Sequence, residues 1–260
     1  MTRPYVFGTN FKMNQTPPES AAFYRQLSAS ITIPSEARVF IFPPFTSLDA
    51  VTQAAKGGPA NLWIGAQNVH FQPDGAFTGE ISLRMLQDLG IDIVLLGHAE
   101  RRQIFQEKDV DLNRKVRAVL DAGLRILFGI GETAEERGFG VSNETILRQL
   151  KIGLHGVEPG QLDRVNVAYE PVWSIGAGGT PATPSDVEPI AATVRTALGE
   201  LFGEAGTNVP VLYGGSVDPK NAGTFTALPN VDGLLVGRAC WTVEGFVATF
   251  ESGLAGYLGK

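Results

Sequence analysis

Apolar residues gather in eight short runs along the chain, and turns rich in glycine, proline or polar residues separate these runs. Within each run the hydrophobic character is nearly continuous rather than alternating, which is typical of strands that are buried on both faces. The pattern predicts strands at residues 5–9, 39–42, 62–66, 91–96, 124–130, 165–169, 211–213 and 233–236.

Segments with one apolar face follow the strands and predict helices. They lie at residues 19–27, 47–55, 83–89, 110–122, 144–154, 187–201, 222–228 and 243–250. Eight such strand–helix pairs predict an α/β fold in which a parallel sheet closes into an eight-stranded (β/α)8 barrel, with residues 1–260 forming a single domain. A doubly wound open sheet is the alternative.

Composition narrows the possible partners. The chain has 260 residues, a formal net charge of -6 and only 21 lysines and arginines, which gives no basic stripe for nucleic acid. The single Cys240 cannot form an internal disulfide, and no apolar run approaches the length of a membrane span. We therefore expect a cytoplasmic protein that binds neither nucleic acid nor membrane.

A single carboxylate, Glu170, follows the sixth predicted strand, and Pro171 ends that strand. An apolar run and then several glycines come next, a composition that suits a loop able to close over a ligand and exclude water. The predicted lid consists of Pro171, Val172, Trp173, Ser174, Ile175, Gly176, Ala177 and Gly178. This pattern predicts a carboxylate base beneath a movable lid.

Two other strand ends carry polar side chains. Asn10 and Lys12 follow the first strand and, if the chain stays extended, share one side of it. His98 and Glu100 follow the fourth strand, where an imidazole could polarise a carbonyl and Glu100 could pair with Lys12. With one cysteine and three histidines, the H-x-E pattern cannot be completed to a zinc deaminase site, so we expect no metal.

The fifth strand runs into Gly129, Gly131 and Ala134, which match the G-x-G-x-x-A dinucleotide fingerprint. A nicotinamide oxidoreductase is therefore one alternative function. The segment lies in the middle of the chain, and no acidic residue follows at a strand end about 20 positions later, where the ribose contact belongs. We expect no cofactor.

Glycine-rich turns end the seventh and eighth strands. Exposed backbone N–H groups in such turns form an anion cradle, and phosphate sites of barrels commonly follow these two strands. Gly176 of the lid could close on the same anion, so we predict a phosphorylated substrate. The residues assigned to it are Gly176, Gly214, Gly215, Ser216, Gly237 and Arg238.

A long loop follows the third strand and contains the aromatic residues His70, Phe71 and Phe77 before it ends at Gly79. Such aromatic content is high for a loop in solvent, and long structured loops are usually functional or interfacial. We interpret this loop as an oligomer contact.

The motifs AYEPVW around Glu170 and GHAERR around His98, with GIGE at Gly129, resemble the triosephosphate isomerase family over the whole chain. The family generally has serine at Ala99 and cysteine at Gly129, and a second glycine at Arg238; the lid here is one residue longer and lacks a lysine. The segment GRACW is similar to the L-erythrulose-1-phosphate isomerase branch. The resemblance implies a TIM barrel, a sugar-phosphate isomerase of carbohydrate metabolism, and a homodimer through the loop from His70 to Gly79.

The resemblance further implies that Glu170 moves a proton between adjacent carbons of the substrate. His98 and Lys12 would stabilise an enediolate, and Asn10 would help to position the substrate. The pairing of a neutral histidine with a glutamate base is known from triosephosphate isomerase itself. Because Ala99 and Gly129 are smaller than the family's usual residues, we expect room for the larger L-erythrulose 1-phosphate, as in erythritol catabolism, with the triose phosphates of glycolysis as the alternative. A non-catalytic phosphate-binding scaffold is a further alternative.

Overall fold

The computed structural model of the chain describes residues 3–176 and 178–260. Eight parallel strands pair in sequential order, and the first pairs with the last, so that the sheet closes into a barrel. The closed barrel is confirmed and the open doubly wound sheet is wrong. The strands are β1 (Tyr5–Asn10), β2 (Ala37–Phe42), β3 (Leu62–Ala66), β4 (Ile93–Leu96), β5 (Arg125–Ile130), β6 (Val165–Tyr169), β7 (Val211–Tyr213) and β8 (Gly233–Val236).

Helices connect the strands and cover the outside of the barrel. They are α1 (Pro17–Ser30), α2 (Leu48–Ala54), α3 (Leu83–Asp88), α4 (Ala99–Gln103), α5 (Asp109–Asp121), α6 (Ala134–Gly138), α7 (Ser142–Gly153), α8 (Pro184–Phe202), α9 (Glu204–Thr207), α10 (Ala222–Thr226) and α11 (Val243–Leu258). Short 3-10 turns lie at Phe45–Ser47, Pro159–Arg164, Val172–Ser174 and Arg238–Cys240. Within the described residues, no helix is long and apolar enough to cross a bilayer.

The strands are buried on both faces, which explains their continuous apolar character. Alternate residues point into the barrel, where Phe40, Phe42, Trp63 and Leu127 belong to one buried cluster. The intervening residues point outward and join the core beneath the helices, as Val39 and Ile41 do. The interior is therefore filled by side chains, and a ligand can bind only at a mouth of the barrel.

Some element boundaries differ from the sequence prediction. The fourth strand begins at Ile93 rather than at residue 91 because Ile91 still donates its N–H to Leu86 at the end of α3, at 3.1 Å. Helix α11 continues to Leu258, beyond the predicted end at residue 250. The glycine Gly253 does not end the helix but allows it to pack closely against the barrel, since a Cβ on Gly253 would lie 2.1 Å from the Tyr5 hydroxyl.

The short helices α4, α6 and α9 lie in loops where no helix was predicted, because segments of four or five residues give no periodic signal. Helix α8 also begins earlier than its predicted start at residue 187. Its capping box joins Thr183 and Asp186 and so places the first turn before the apolar face begins.

Candidate active site

A cavity of about 550 Å³ opens at the carboxyl ends of the barrel strands. It brings together groups from four of the predicted strand ends, those of β1, β4, β7 and β8, and from the lid. The lining residues are Asn10, Lys12, His98, Glu100, Ser174, Ile175, Gly176, Gly214, Gly215, Ser216, Val217, Leu235, Val236, Gly237, Arg238, Ala239 and Trp241.

Asn10 and Lys12 both line this cavity, but the extended backbone expected between them is wrong. Lys12 has a φ of 54°, in the left-handed region, and its backbone N–H donates to Asn10 Oδ1 at 2.8 Å. This turn brings the lysine to the barrel mouth. Gln67, the first residue after β3, donates to the Lys12 carbonyl at 2.8 Å, and the Trp241 indole donates to the Asn10 carbonyl at 3.0 Å.

Lys12 Nζ lies 2.6 Å from Glu100 Oε1, so the predicted ion pair is present. His98 occupies the N-cap of α4, where its Nδ1 accepts the backbone N–H of Glu100 at 3.2 Å. With Nδ1 as the acceptor of this hydrogen bond, the tautomer is the one that carries its proton on Nε2. The side chain of His98 is therefore a donor toward the cavity.

Glu170 does not line the cavity; its residue is 1% exposed. Its Oε2 accepts the backbone N–H of Ala99 at 2.8 Å, and its buried Oε1 accepts no hydrogen bond from any described residue. The carboxylate is therefore held beside the start of α4 and outside the cavity lining, in a position we call retracted.

The lid begins with a 3-10 turn at Val172–Ser174, and Ile175 and Gly176 reach the cavity wall. Trp173 Nε1 donates to Glu132 Oε1 at 2.7 Å, and the Tyr169 hydroxyl donates to the same oxygen at 3.0 Å. Burial, and then the nearby Glu132 carboxylate, raise the pKa of Tyr169, which keeps its hydroxyl protonated as this donor. Ala177, counted in the predicted lid, lies outside the described residues.

The turns after β7 and β8 border the cavity through Gly215, Ser216, Gly237 and Arg238, and Arg238 is exposed at the rim. Gly214 also borders it, but its N–H is engaged within the barrel. Its N–H donates to the Tyr169 carbonyl at 2.8 Å and so is not free for a ligand.

Gly214 instead makes room for the carboxylate: a Cβ there would lie 2.9 Å from Glu170 Cγ. Gly215 has a comparable steric reason, because a Cβ on it would lie 2.0 Å from the Tyr213 hydroxyl. Packing alone therefore requires glycine at these two positions, independently of any ligand that the turns bind.

The glycines of the dinucleotide fingerprint also serve packing. A Cβ on Gly131 would lie 1.9 Å from the Glu170 carbonyl, and the Gly131 N–H donates to Gln149 Oε1 at 2.8 Å. In a closed barrel this turn is not the start of a nucleotide-binding βαβ unit, so the interpretation as a dinucleotide site is wrong.

The expected room for a larger substrate is wrong for the same reason. A Cβ on Gly129 would lie 2.9 Å from the Gly97 carbonyl oxygen and 3.2 Å from the His98 nitrogen, between neighbouring strands. Neither Gly129 nor Ala99 lines the cavity. The absence of a side chain at Gly129 allows the β4 and β5 ends to approach each other.

The loop between His70 and Gly79 is organised by its own aromatic rings. The His70 ring lies 4.6 Å from that of Phe71 and 4.2 Å from that of Phe77, and the His70 N–H donates to the Ile81 carbonyl at 2.8 Å. Phe77 remains 43% exposed. The loop therefore presents an ordered apolar tip outside the cavity.

The sequence interpretation missed three residues that support the site: Gln67, Glu132 and Trp241. Gln67 and Glu132 each follow a strand, so reading every strand end for polar side chains would have found them. Trp241 bonds Asn10 across 231 positions of sequence, and no local pattern indicates that contact.

Comparisons with known proteins agree with this geometry. The family profile described as Triosephosphate isomerase matches residues 5–252. A triosephosphate isomerase of Carboxydothermus hydrogenoformans is 44% identical over 255 residues, covering 98% of this chain and 100% of the relative. One of Moorella thermoacetica is 41% identical over 95% of this chain and 98% of the relative.

A solved structure, the triosephosphate isomerase of Bartonella henselae, has a TM-score of 0.86 and 34% sequence identity, and the match covers 96% of this chain and 99% of that one. These relatives carry the plain family name, so the erythrulose-phosphate branch is not supported. With its closed barrel, its clustered strand ends and matches over nearly its full length, the chain belongs to the triosephosphate isomerase family of intramolecular isomerases.

Proposed function

We propose that this chain interconverts dihydroxyacetone phosphate and glyceraldehyde 3-phosphate. The observation that carries the proposal is the meeting of Asn10, Lys12 and His98 with the glycine turns after β7 and β8 around one cavity. The names of the family relatives support the triose substrates.

In the proposed reaction, Glu170 removes a proton from one carbon and returns it to the neighbouring carbon. It must first leave the Ala99 N–H to reach the cavity. Among the described residues, the Ala99 N–H is the hydrogen-bond donor that the carboxylate gives up in that movement. Lid closure then excludes water from the reacting carbons.

His98 Nε2–H and the Lys12 ammonium stabilise the negative charge that develops on the two substrate oxygens. Glu100 holds the ammonium at 2.6 Å and also supplies the N–H that fixes the His98 tautomer. The substrate phosphate binds against Ser216, Gly237 and Arg238, with Gly176 closing from the lid. The cation of Arg238 adds electrostatic attraction for this anion.

The test is a side-by-side assay of the purified protein and of Glu170→Gln on glyceraldehyde 3-phosphate and L-erythrulose 1-phosphate. We expect turnover of the triose phosphate, and a loss of about 10³-fold or more in kcat in Glu170→Gln because the variant lacks a base. Faster turnover of the tetrulose phosphate would contradict the substrate. A variant that retains more than about a tenth of kcat would contradict the base.

We further propose a homodimer in which the loop from His70 to Gly79 contacts a second copy. Its support is the ordered apolar tip at Phe77, together with other large apolar side chains left exposed, namely Met13, Met85, Ile104 and Phe105. Sedimentation velocity should give twice the 27.8 kDa chain mass for the parent and a monomer for Phe77→Glu. Phe139→Glu, at another exposed phenylalanine, is the control and should stay dimeric. A monomeric parent would exclude the dimer.

A further inference from the structure

Arg137 on α6 contacts the chain on both sides of the lid glycines. Its guanidinium carbon lies 3.8 Å from the centroid of the Trp173 ring. Its Nη2 donates to Asp186 Oδ1 at 2.7 Å. Trp173 precedes the glycines of the lid, and Asp186 lies in the first turn of α8, after the lid. One side chain therefore joins the two ends of the movable segment.

The groups on either side of this contact are fixed. Asp186 uses its other oxygen, Oδ2, to accept the Thr183 N–H at 2.8 Å in the capping box of α8. Helix α6 is held by its own capping box between Thr133 and Glu136. Arg137, in the last turn of α6, thus bridges to the anchored start of α8, and the Trp173 ring packs against its guanidinium.

The contact belongs to the conformation in which Glu170 is retracted. Trp173 follows Glu170 by only three residues, and both are anchored: the carboxylate to the Ala99 N–H, and the indole N–H to Glu132. Moving Glu170 into the cavity displaces Pro171 and the 3-10 turn at Val172–Ser174. The displacement disturbs the contacts that Trp173 makes with Glu132 and Arg137. Any interaction that stabilises Trp173 in its present position therefore opposes the movement of Glu170 into the cavity.

We propose that Arg137 is a positioning residue that stabilises the resting conformation of the lid, with Glu170 retracted, relative to the conformation closed over a phosphorylated ligand. This inference rests on the proposed function in that the closing ligand is a three-carbon phosphate ester. The Arg137 side chain is 45% exposed, so its interaction is of modest strength. Removing it should tighten ligand binding by about two- to fivefold.

The experiment measures the dissociation constant of glycerol 3-phosphate, which cannot undergo the isomerisation, for the parent, Arg137→Met and Arg137→Lys. Arg137→Met is expected to bind about two- to fivefold more tightly, and Arg137→Lys, which keeps the charge beside Asp186 without the planar face, should be intermediate. Arg148→Met is the matched control. Arg148 is 54% exposed and pairs with Asp109 at 3.3 Å on α5, so its removal should leave the constant unchanged.

A second readout does not need ligand. In protein labelled with 5-fluorotryptophan, Arg137→Met should move the ¹⁹F resonance of Trp173 toward its ligand-bound position and leave that of Trp63, inside the barrel, in place. An unchanged Trp173 resonance in the ligand-free variant, or an unchanged or larger dissociation constant, overturns the inference. Neither readout depends on turnover. A lack of isomerase activity would therefore contradict the proposed function but would not contradict the inference about Arg137.

Discussion

At the residue scale, single hydrogen bonds determine how each catalytic candidate is presented. The tautomer of His98 is set by a backbone N–H two residues away that bonds its Nδ1, and Lys12 reaches the cavity through a left-handed turn that Asn10 stabilises. Glu170 is retracted because Ala99, 71 positions earlier, offers it an N–H. Each role follows from a specific hydrogen bond rather than from residue type alone.

We predict that Lys12→Ala lowers kcat/KM on the triose phosphates by at least about 10²-fold, because an ammonium that faces the anionic substrate is lost. The change also leaves the Glu100 carboxylate at the mouth without its partner, which repels the substrate further. Lys56→Ala, at an exposed lysine outside the cavity, is the control for general effects of charge. Parent-like kinetics of folded Lys12→Ala would show that the ammonium does not act on the substrate.

Gly129 provides a second prediction at this scale. Gly129→Ala should reduce the free energy of unfolding by about 1–3 kcal/mol, because the atoms that a Cβ would meet belong to the backbone of Gly97 and His98 and cannot rotate away. The control is Gly138→Ala, where a Cβ meets no atom within 4 Å and the effect should stay within about 0.5 kcal/mol. Urea unfolding of both variants measures the difference; equal stabilities would refute the steric argument.

At the scale of elements, two capping boxes fix the helices that flank the lid. Hydrogen bonds from the Thr183 side chain and backbone lower the pKa of Asp186 at the start of α8. Burial opposes the effect at Glu136 of α6, yet hydrogen bonds from Thr133 and Thr145 still lower its pKa. The lid thus leads into the capped start of α8 and contacts α6 through Arg137, and the cap of each helix uses a carboxylate.

These caps predict an acid-sensitive stability. A carboxylate whose folded pKa is depressed contributes stability that is fully present above its unfolded pKa, about 3.9 for Asp and about 4.3 for Glu, and that is lost as the pH falls through the folded value. Urea unfolding between pH 6 and pH 3 should show this loss, and Asp186→Asn should reduce its size. Glu251→Gln, on the exposed face of α11, is the control. Identical pH profiles for Asp186→Asn and the parent would contradict the prediction.

At the scale of the whole molecule, the closed barrel buries both faces of its strands and leaves function to one mouth. Cys240, which follows β8, is fully buried by this architecture. Burial raises the pKa of its thiol to about 12, despite an opposing hydrogen bond with Thr249.

The thiol should therefore resist iodoacetamide at pH 8 in the native protein, because alkylation requires an accessible thiolate. We expect modification only on unfolding, so the alkylation rate followed by mass spectrometry should rise along the urea transition seen by circular dichroism. Rapid labelling of the native protein would show that the β8 end opens without global unfolding.

The sequence by itself determined the barrel and the chemical groups available to it. Eight apolar runs without alternation bury their side chains only in strands that are covered on both faces. The residues that follow parallel strands lie at the same edge of the sheet, so their proximity can be predicted without knowing their contacts. Periodicity therefore indicated the fold, and strand ends indicated Asn10, Lys12, His98, Glu100 and Glu170 before any contact was known.

Only the tertiary structure decided how these groups are used. Gly129, Gly131 and Gly214 are glycines of close approach between strands, a property of the neighbouring backbone that their own segments do not encode. The same holds for the retracted Glu170 and for Arg137, whose partners come from other strand–helix units. Hydrophobic periodicity is a local signal, whereas a hydrogen bond or a steric limit within 3 Å depends on the register in which distant strands finally pack.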